Sequence, residues 1–306
     1  MTLRSIQKDY ADLKINKIEF IDQMHAYHQV LHEYSDFVKG TDISKIEISD
    51  GQIIMTDRET GIRMICNKDD KRIAPYTILN FGSYEPDEAW GMRSLIDPGN
   101  TIFDVGANIG YYSMSLSRLV PNLKIFAFEP IERSFAYLTQ HLEMNQINNV
   151  QAFQFGLSDK KEEKVFYFSS EGSVNASAAL MSDKYVVHKM VCQVETMDEF
   201  TKSKGTTVDF IKVDVEGAEL FVFQGGLKTI ATQKPVIFSE MLRKWSAKFN
   251  YHPNEIIQLL ADLGYGCFTV NARKLARFHK MDENTVETNF FFLHLEKHQD
   301  KIKKLS

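Results

Sequence analysis

The sequence predicts a doubly wound α/β domain on a mostly parallel seven-stranded sheet, with a small helical and β appendage in front of it. Three observations predict it. From Thr101 onward, short apolar runs alternate with amphipathic stretches of helical period. The first run passes into a glycine-bearing turn, Asp104-Val-Gly-Ala-Asn-Ile-Gly110. The second run ends on a carboxylate, Glu129.

Strands are expected at Thr101–Val105, Lys124–Phe128, Val150–Phe155, Val208–Val213, Val236–Ser239, Gly266–Val270 and Phe290–Leu295. Their continuous Val, Ile and Phe content suits a sheet covered on both faces. Helices are expected at Tyr111–Leu119, Arg133–Asn145, Ala218–Ile230 and Pro253–Leu263. Ahead of them, residues 1–40 have helical periodicity through Ile18, Phe20, Ile21, Met24, Tyr27, Leu31 and Tyr34, and Gly40 stops it. Alternating runs at Lys45–Ile48, Ile53–Met55 and Ile62–Ile65 then read as antiparallel strands. The chain divides into an accessory region, 1–75, a main domain, 76–296, and a charged tail, 297–306, expected to fray. The accessory region reads as a core-forming cap, with substrate gating or dimer formation as its other uses. An excursion at 162–196 holds a polar loop, Glu171–Ser177, beside the crevice where such sheets bind ligands.

Composition bounds the function. A net charge of −5 over 306 residues gives no bulk attraction to nucleic acid. No apolar run approaches the length of a membrane span, and the N-terminus is too polar for a signal peptide. The three cysteines, Cys66, Cys192 and Cys267, share no metal-ligand spacing and sit in apolar stretches. They read as buried reduced thiols, which points to the cytoplasm.

Gly106 and Gly110 allow a tight turn and close approach of the backbone to a ligand, and the next helix offers free N–H groups. Their spacing is not that of a dinucleotide fingerprint. Glu129 stands where a carboxylate accepts both hydroxyl hydrogens of a ribose. The fourth strand runs into Lys212-Val-Asp-Val-Glu-Gly-Ala-Glu219, which gathers Asp214, Glu216 and Glu219 at the sheet's C-terminal edge. Carboxylates so close repel unless something occupies them. The alternative use for Glu216 and Glu219 is to favour a helix N-terminus.

These blocks, together with Phe81-Gly-Ser-Tyr-Glu85, Asp97-Pro-Gly-Asn100, Phe128-Glu-Pro130, Leu157-Ser-Asp159, Glu240 and His252-Pro253, resemble FkbM-type methyltransferases over about residues 80–270. The resemblance implies a Rossmann-like class I methyltransferase fold, S-adenosylmethionine as methyl donor, and a hydroxyl of a small molecule, sugar or natural product as acceptor. It places Asp104, Gly106, Asn108 and Gly110 at the methionine and sulfonium end, Glu129 at the ribose, and Leu157 and Ser158 beside the adenine. An alcohol acceptor needs a base. Asp214 is the first candidate, Glu216 the second and His252 the third, His252 reading equally as a helix-start residue. Asn175, Ser177 and Glu240 are expected on the acceptor side. A divalent cation on Asp214, Glu216 and Glu240 is the less favoured use of the acids. A nicotinamide oxidoreductase and a non-catalytic cofactor-binding module remain the alternatives, as does assembly into a homo-oligomer.

Overall fold

The computed structural model describes residues 1–169, 172–177 and 187–306, and the side chains of 1–167 and 189–306. Two helices open the chain, α1 (Leu3–Ala11) and α2 (Lys17–Phe37), followed by a three-stranded antiparallel sheet of β1 (Ile43–Ser49), β2 (Gln52–Asp57) and β3 (Arg63–Ile65). Helices α3 (Ala74–Phe81) and α4 (Pro86–Leu95) lead to the main domain. There β4 (Thr101–Val105), α5 (Tyr111–Leu119), β5 (Lys124–Phe128), α6 (Glu132–Met144) and β6 (Val150–Phe153) form the first half. Next come β7 (Gly156–Leu157), β8 (Glu162–Ser169), β9 (Gly172–Ser177) and β10 (Val187–Glu195). The second half holds α7 (Met197–Lys204), β11 (Phe210–Val213), α8 (Glu219–Gln224), α9 (Leu227–Gln233) and β12 (Val236–Glu240). The chain closes with α10 (Arg243–Ser246), α11 (Asn254–Asp262), β13 (Tyr265–Asn271), β14 (Lys274–Phe278), β15 (Asn289–His294) and α12 (Gln299–Leu305).

The central sheet has eight strands in the order β14–β13–β15–β12–β11–β4–β5–β6. Strands β12, β11, β4, β5 and β6 are mutually parallel, and β15 lies antiparallel to both β12 and β13. Strand order reverses between β4 and β11, and at this switch point the C-terminal strand ends frame a crevice. Alternate residues of each strand serve opposite faces. Ile102, Ile125 and Phe210 join one core with Met92, Met114 and Leu138. Phe103, Phe126 and Ile211 join the other with Phe200, Val222 and Ile256. Two-sided burial explains the continuous apolar runs.

Four sequence expectations change. The sheet gains an eighth strand, β14, an edge whose only buried residue is Leu275, so it carries no apolar signal. Ala218–Ile230 is two helices broken at Gly225 and Gly226, because a Cβ on Gly225 would lie 1.9 Å from the Ser158 carbonyl oxygen. The excursion folds into a second sheet, β7–β10–β8–β9, with Asn175 and Ser177 on β9, their side chains outside the described residues. The charged tail forms α12, held by Lys301 Nζ on Asp97 (2.6 Å) and on the Leu95 carbonyl (2.8 Å). Among the described residues no helix is long and apolar enough to cross a membrane.

The small sheet shares the first core through Ile43, Met55, Ile62 and Met64. Its β3 is docked on α6 by side chains that mimic a neighbouring strand. Asn145 accepts from the Arg63 N–H (2.7 Å) and donates to the Arg63 carbonyl (2.8 Å), while His141 Nε2 accepts from the Ile65 N–H (2.9 Å). Burial holds the His141 pKa below its ordinary value, so the ring stays a neutral acceptor. Replacing Asn145 by alanine strands two half-buried backbone groups, at a cost of about 1 kcal/mol. Amide exchange should accelerate at Arg63–Ile65 while β4 and β11 stay protected. Unchanged exchange there would rule out this docking.

Candidate active site

The first turn is built against the backbone around it. Gly106 and Ala107 both donate their N–H to the Phe128 carbonyl at the end of β5 (3.0 Å each). Gly106 has φ +76°, and a Cβ there would lie 1.8 Å from the Asp214 carbonyl oxygen, so only glycine lets β4 and β11 approach so closely. Asn108 also has positive φ (50°), a conformation it tolerates better than most residues.

Glu129 is buried and already engaged. One oxygen accepts from the Asn108 N–H (2.8 Å) and the other from the Ile131 N–H (2.9 Å). Burial pushes its carboxyl up to about 7, against the opposing pull of those bonds and of Lys212. Each oxygen keeps a further lone pair, and Glu129 lines the cleft together with Gly106 and Asn108. The buried Oδ1 of Asn108 has no hydrogen-bond partner.

Lys212, which the sequence reading passed over, is the hinge of the arrangement. It lies in β11, is 3% exposed, and donates to the Gly106 carbonyl (2.6 Å). Its Nζ is 3.2 Å from Asp104 and 3.6 Å from Asp214. Burial works to lower its pKa, but Asp104 and Asp214 outweigh that and raise it, keeping the ammonium charged. The available signal was a lysine inside an otherwise apolar strand. Asp104 is 2% exposed and accepts from the Ser113 hydroxyl (2.6 Å), so it lies beneath the glycine turn rather than on the cleft surface. Gly110 also faces inward, its missing Cβ making room for Leu138.

On the far side of the turn three carboxylates converge. Asp214, Glu216 and Glu240 each offer an oxygen within 4.8 Å of the others. Glu216 has positive φ (53°), backbone strain of the kind that gathers at functional sites. Burial raises Glu216 and Glu240 well above the ordinary carboxylate range, and the Asp214 charge adds to it. Glu219 serves the fold: it accepts from the Gly217 N–H (2.9 Å) and from the Tyr251 hydroxyl (3.1 Å), and is 1% exposed. Glu85, another residue given no role from sequence, accepts from the Tyr112 hydroxyl and is pushed by burial up to about 7. Tyr84 and Tyr112 wall the cleft beside it.

Leu157 and Ser158 line an adjoining, mostly apolar cavity of about 400 Å³, together with Phe221 and Phe249. It shares Gly106, Pro130, Phe166 and Val215 with the cleft, so the two are one crevice with a polar and an apolar arm. His252 is the clear correction. It is exposed, accepts from the Asn254 N–H (3.2 Å), and initiates α11 instead of entering the cleft. His252-Pro253 is thus a helix start.

The chain matches the family model described as the methyltransferase FkbM domain across residues 104–267, more than half its length. It belongs to that family. The match begins at Asp104 and takes in the glycine turn, Glu129, Lys212 and the carboxylates through Glu240. Among curated relatives, Methyltransferase 1 of Beauveria bassiana is 29% identical over 142 residues, 40% of this chain and 57% of that protein. The 2-O-methyltransferase NoeI of Sinorhizobium fredii is 28% identical over 162 residues, 48% of this chain and 65% of that protein. Each match therefore spans less than two thirds of the relative. Among solved structures, a methyltransferase FkbM from Methylobacillus flagellatus KT aligns over 71% of this chain and 53% of its own, at TM-score 0.42 and 18% identity.

The buried carboxyls make stability depend on pH in an unusual direction. Glu85, Glu129 and Glu219 each titrate at about 7 in the fold, above the ordinary value of 4.5. The folded state thus binds more protons than the unfolded chain between those values, and stability is lost as pH rises through about 7. Glu219→Gln removes one such group. Its melting temperature relative to wild type should rise between about pH 5 and about pH 8. A difference that is flat or falls with pH would contradict a buried, raised Glu219.

Proposed function

We propose that the chain is an S-adenosylmethionine-dependent methyltransferase acting on a hydroxyl of a small-molecule or sugar acceptor. The observation that carries this reading is one crevice with two chemistries. A glycine turn and a ribose-competent Glu129 stand on one side, and the Asp214–Glu216–Glu240 cluster on the other. The fit of the donor rests on the cleft lined by Gly106, Asn108 and Glu129 and on the unpartnered Asn108 Oδ1.

Bound there, the donor supplies a methyl group already activated by its sulfonium. The backbone of Gly106–Gly110 and Asn108 Oδ1 would hold its methionine end, with Asp104 and Gly110 supporting the turn from below. Glu129 would accept the ribose hydroxyls through its free lone pairs, and Leu157 and Ser158 would flank the adenine in the apolar arm. Burial of these groups excludes water and aligns the reactants, an effect that contributes up to roughly 7–11 kcal/mol in well-oriented reactions. Asp214 is the proposed base. It lines the cleft half-buried with Lys212 at 3.6 Å, while burial raises Glu216 and Glu240 well above the ordinary carboxylate range and favours their protonated forms. Asp214 would take one hydroxyl proton while protonated Glu216 and Glu240 donate hydrogen bonds to neighbouring hydroxyls, which suits a polyol. The 2-O-methyltransferase relative accords with that acceptor class. Glu240 and the excursion carrying Asn175 and Ser177 complete the acceptor side. The proposed mechanism is metal-free and takes place in the cytoplasm, where Cys66, Cys192 and Cys267 stay as free thiols.

Glu129→Ala should weaken binding of S-adenosylhomocysteine by about 1–3 kcal/mol in calorimetric titration, since charged acceptor contacts are lost. Unchanged affinity would take Glu129 out of the site, and saturable NAD binding in its place would overturn the donor. Asp214→Asn should depress turnover by about 10²–10⁴-fold with donor affinity retained. Activity lost to EDTA and restored by Mg²⁺ would replace the base by a cation held on the three acids. Normal turnover in Asp214→Asn would make the cluster structural.

A further inference from the structure

We propose that the N-terminal helical hairpin is a self-association surface, on which α2 of one copy packs against α2 of a second. The hairpin is only half built within one chain. Helix α1 has 9 residues and α2 has 21, so at 1.5 Å per residue α1 covers about 13 Å of a helix about 31 Å long. Over that first stretch the packing is real. Ile6 is fully buried, Tyr10 stacks on Phe20 with ring centroids 4.5 Å apart, and the Tyr27 hydroxyl donates to the Met1 carbonyl.

Beyond Tyr27, α2 runs on without cover, and no residue along its whole length is buried. Yet its sequence is that of a packed helix. Tyr27, Val30, Leu31, Tyr34 and Phe37 lie on one face, while Asp22 and Asp36 lie toward the opposite one and Glu33 flanks it. Those five side chains are 39%, 44%, 55%, 44% and 51% exposed. Taking about 150–250 Å² for a whole side chain of this size, they leave roughly 500 Å² of apolar surface open. A patch of that size is on the scale of the largest that a typical monomer exposes, and such patches often serve a function.

The area and the charge pattern select the occupant. Two such faces in contact bury roughly 1,000 Å² together, the size at which a specific interface begins. A two-fold axis sets the same face against itself and needs no complementary charge. Along residues 27–37 the open face carries no Asp, Glu, Lys or Arg for another partner's charges to meet, Glu33 lying at its flank. The anchor is firm enough to transmit the pairing: Arg58 donates to the Val38 and Ile43 carbonyls at the base of α2 (3.0 and 2.8 Å).

Sedimentation of the full chain against concentration tests this. The expected species has twice the 35.3 kDa chain mass and dissociates on dilution. Leu31→Glu and Tyr34→Glu should each weaken the dimer by roughly a hundredfold, as burying a charge replaces burying an apolar side chain. Neither side chain touches a core, so far-ultraviolet circular dichroism and melting temperature should be unchanged. As a readout free of substitution, amides of residues 27–37 should gain protection from exchange as concentration rises. A chain that is monomeric up to its solubility limit, or a dimer indifferent to both substitutions, would overturn the proposal. The outcome does not depend on methyl transfer.

Discussion

A single buried ammonium group holds the two halves of the crevice in register. Lys212 sits inside β11, yet its Nζ reaches across to the Gly106 carbonyl and lies between Asp104 and Asp214. A lone charge at that depth costs several kcal/mol, and removing one member of a buried pair typically costs about 3–5 kcal/mol. The three groups are therefore tied: the donor-side turn keeps its shape only while the cation is present, and the cation is tolerated only between the two acids. The same contact fixes why residue 106 is glycine, since β4 and β11 approach until no side chain fits between their ends.

From that constraint the electrostatics of the acceptor side follow. Lys212 is the nearest cation to Asp214, whereas Glu216 and Glu240 feel chiefly burial and the Asp214 charge. Burial raises Glu216 and Glu240 well above the ordinary carboxylate range, so both can donate hydrogen bonds beside the proposed base. Glu219 takes no part because the turn's own N–H groups and Tyr251 consume it. The strained φ at Glu216 is held by this packing: Gly217 beside it has φ +98° and no room for a Cβ against the Trp245 backbone.

Much of the fold was legible because two-sided burial writes continuous apolar runs and the helices between them keep their period. The central strands ended within a residue or two of expectation. What escaped was governed by surroundings. Edge strand β14 carries one buried residue, and the break between α8 and α9 comes from Ser158 pressing on Gly225, a contact far away in sequence. At the site, the glycine turn, Glu129 and the Asp214 cluster announced themselves by position at strand ends. Lys212 did not, because a lysine in a strand reads as an exposed residue until its two acids are placed beside it. Glu85 was hidden by its location before Pro86, where a proline restricts the backbone but says nothing of Tyr112 across the cleft. His252 misled for the opposite reason, a reactive residue type serving as a helix start.

The most direct test of the account is ligand-induced thermal stabilisation of Lys212→Met by S-adenosylhomocysteine, beside wild type at equal protein and ligand. Methionine keeps most of the length and the unbranched apolar stem of the side chain while removing the charge and its donors. The account predicts a variant that melts lower and has lost most of the ligand-dependent rise, because the Gly106 turn no longer has a cation to hold it against Asp214. A folded Lys212→Met protein that shows the full wild-type rise would contradict it.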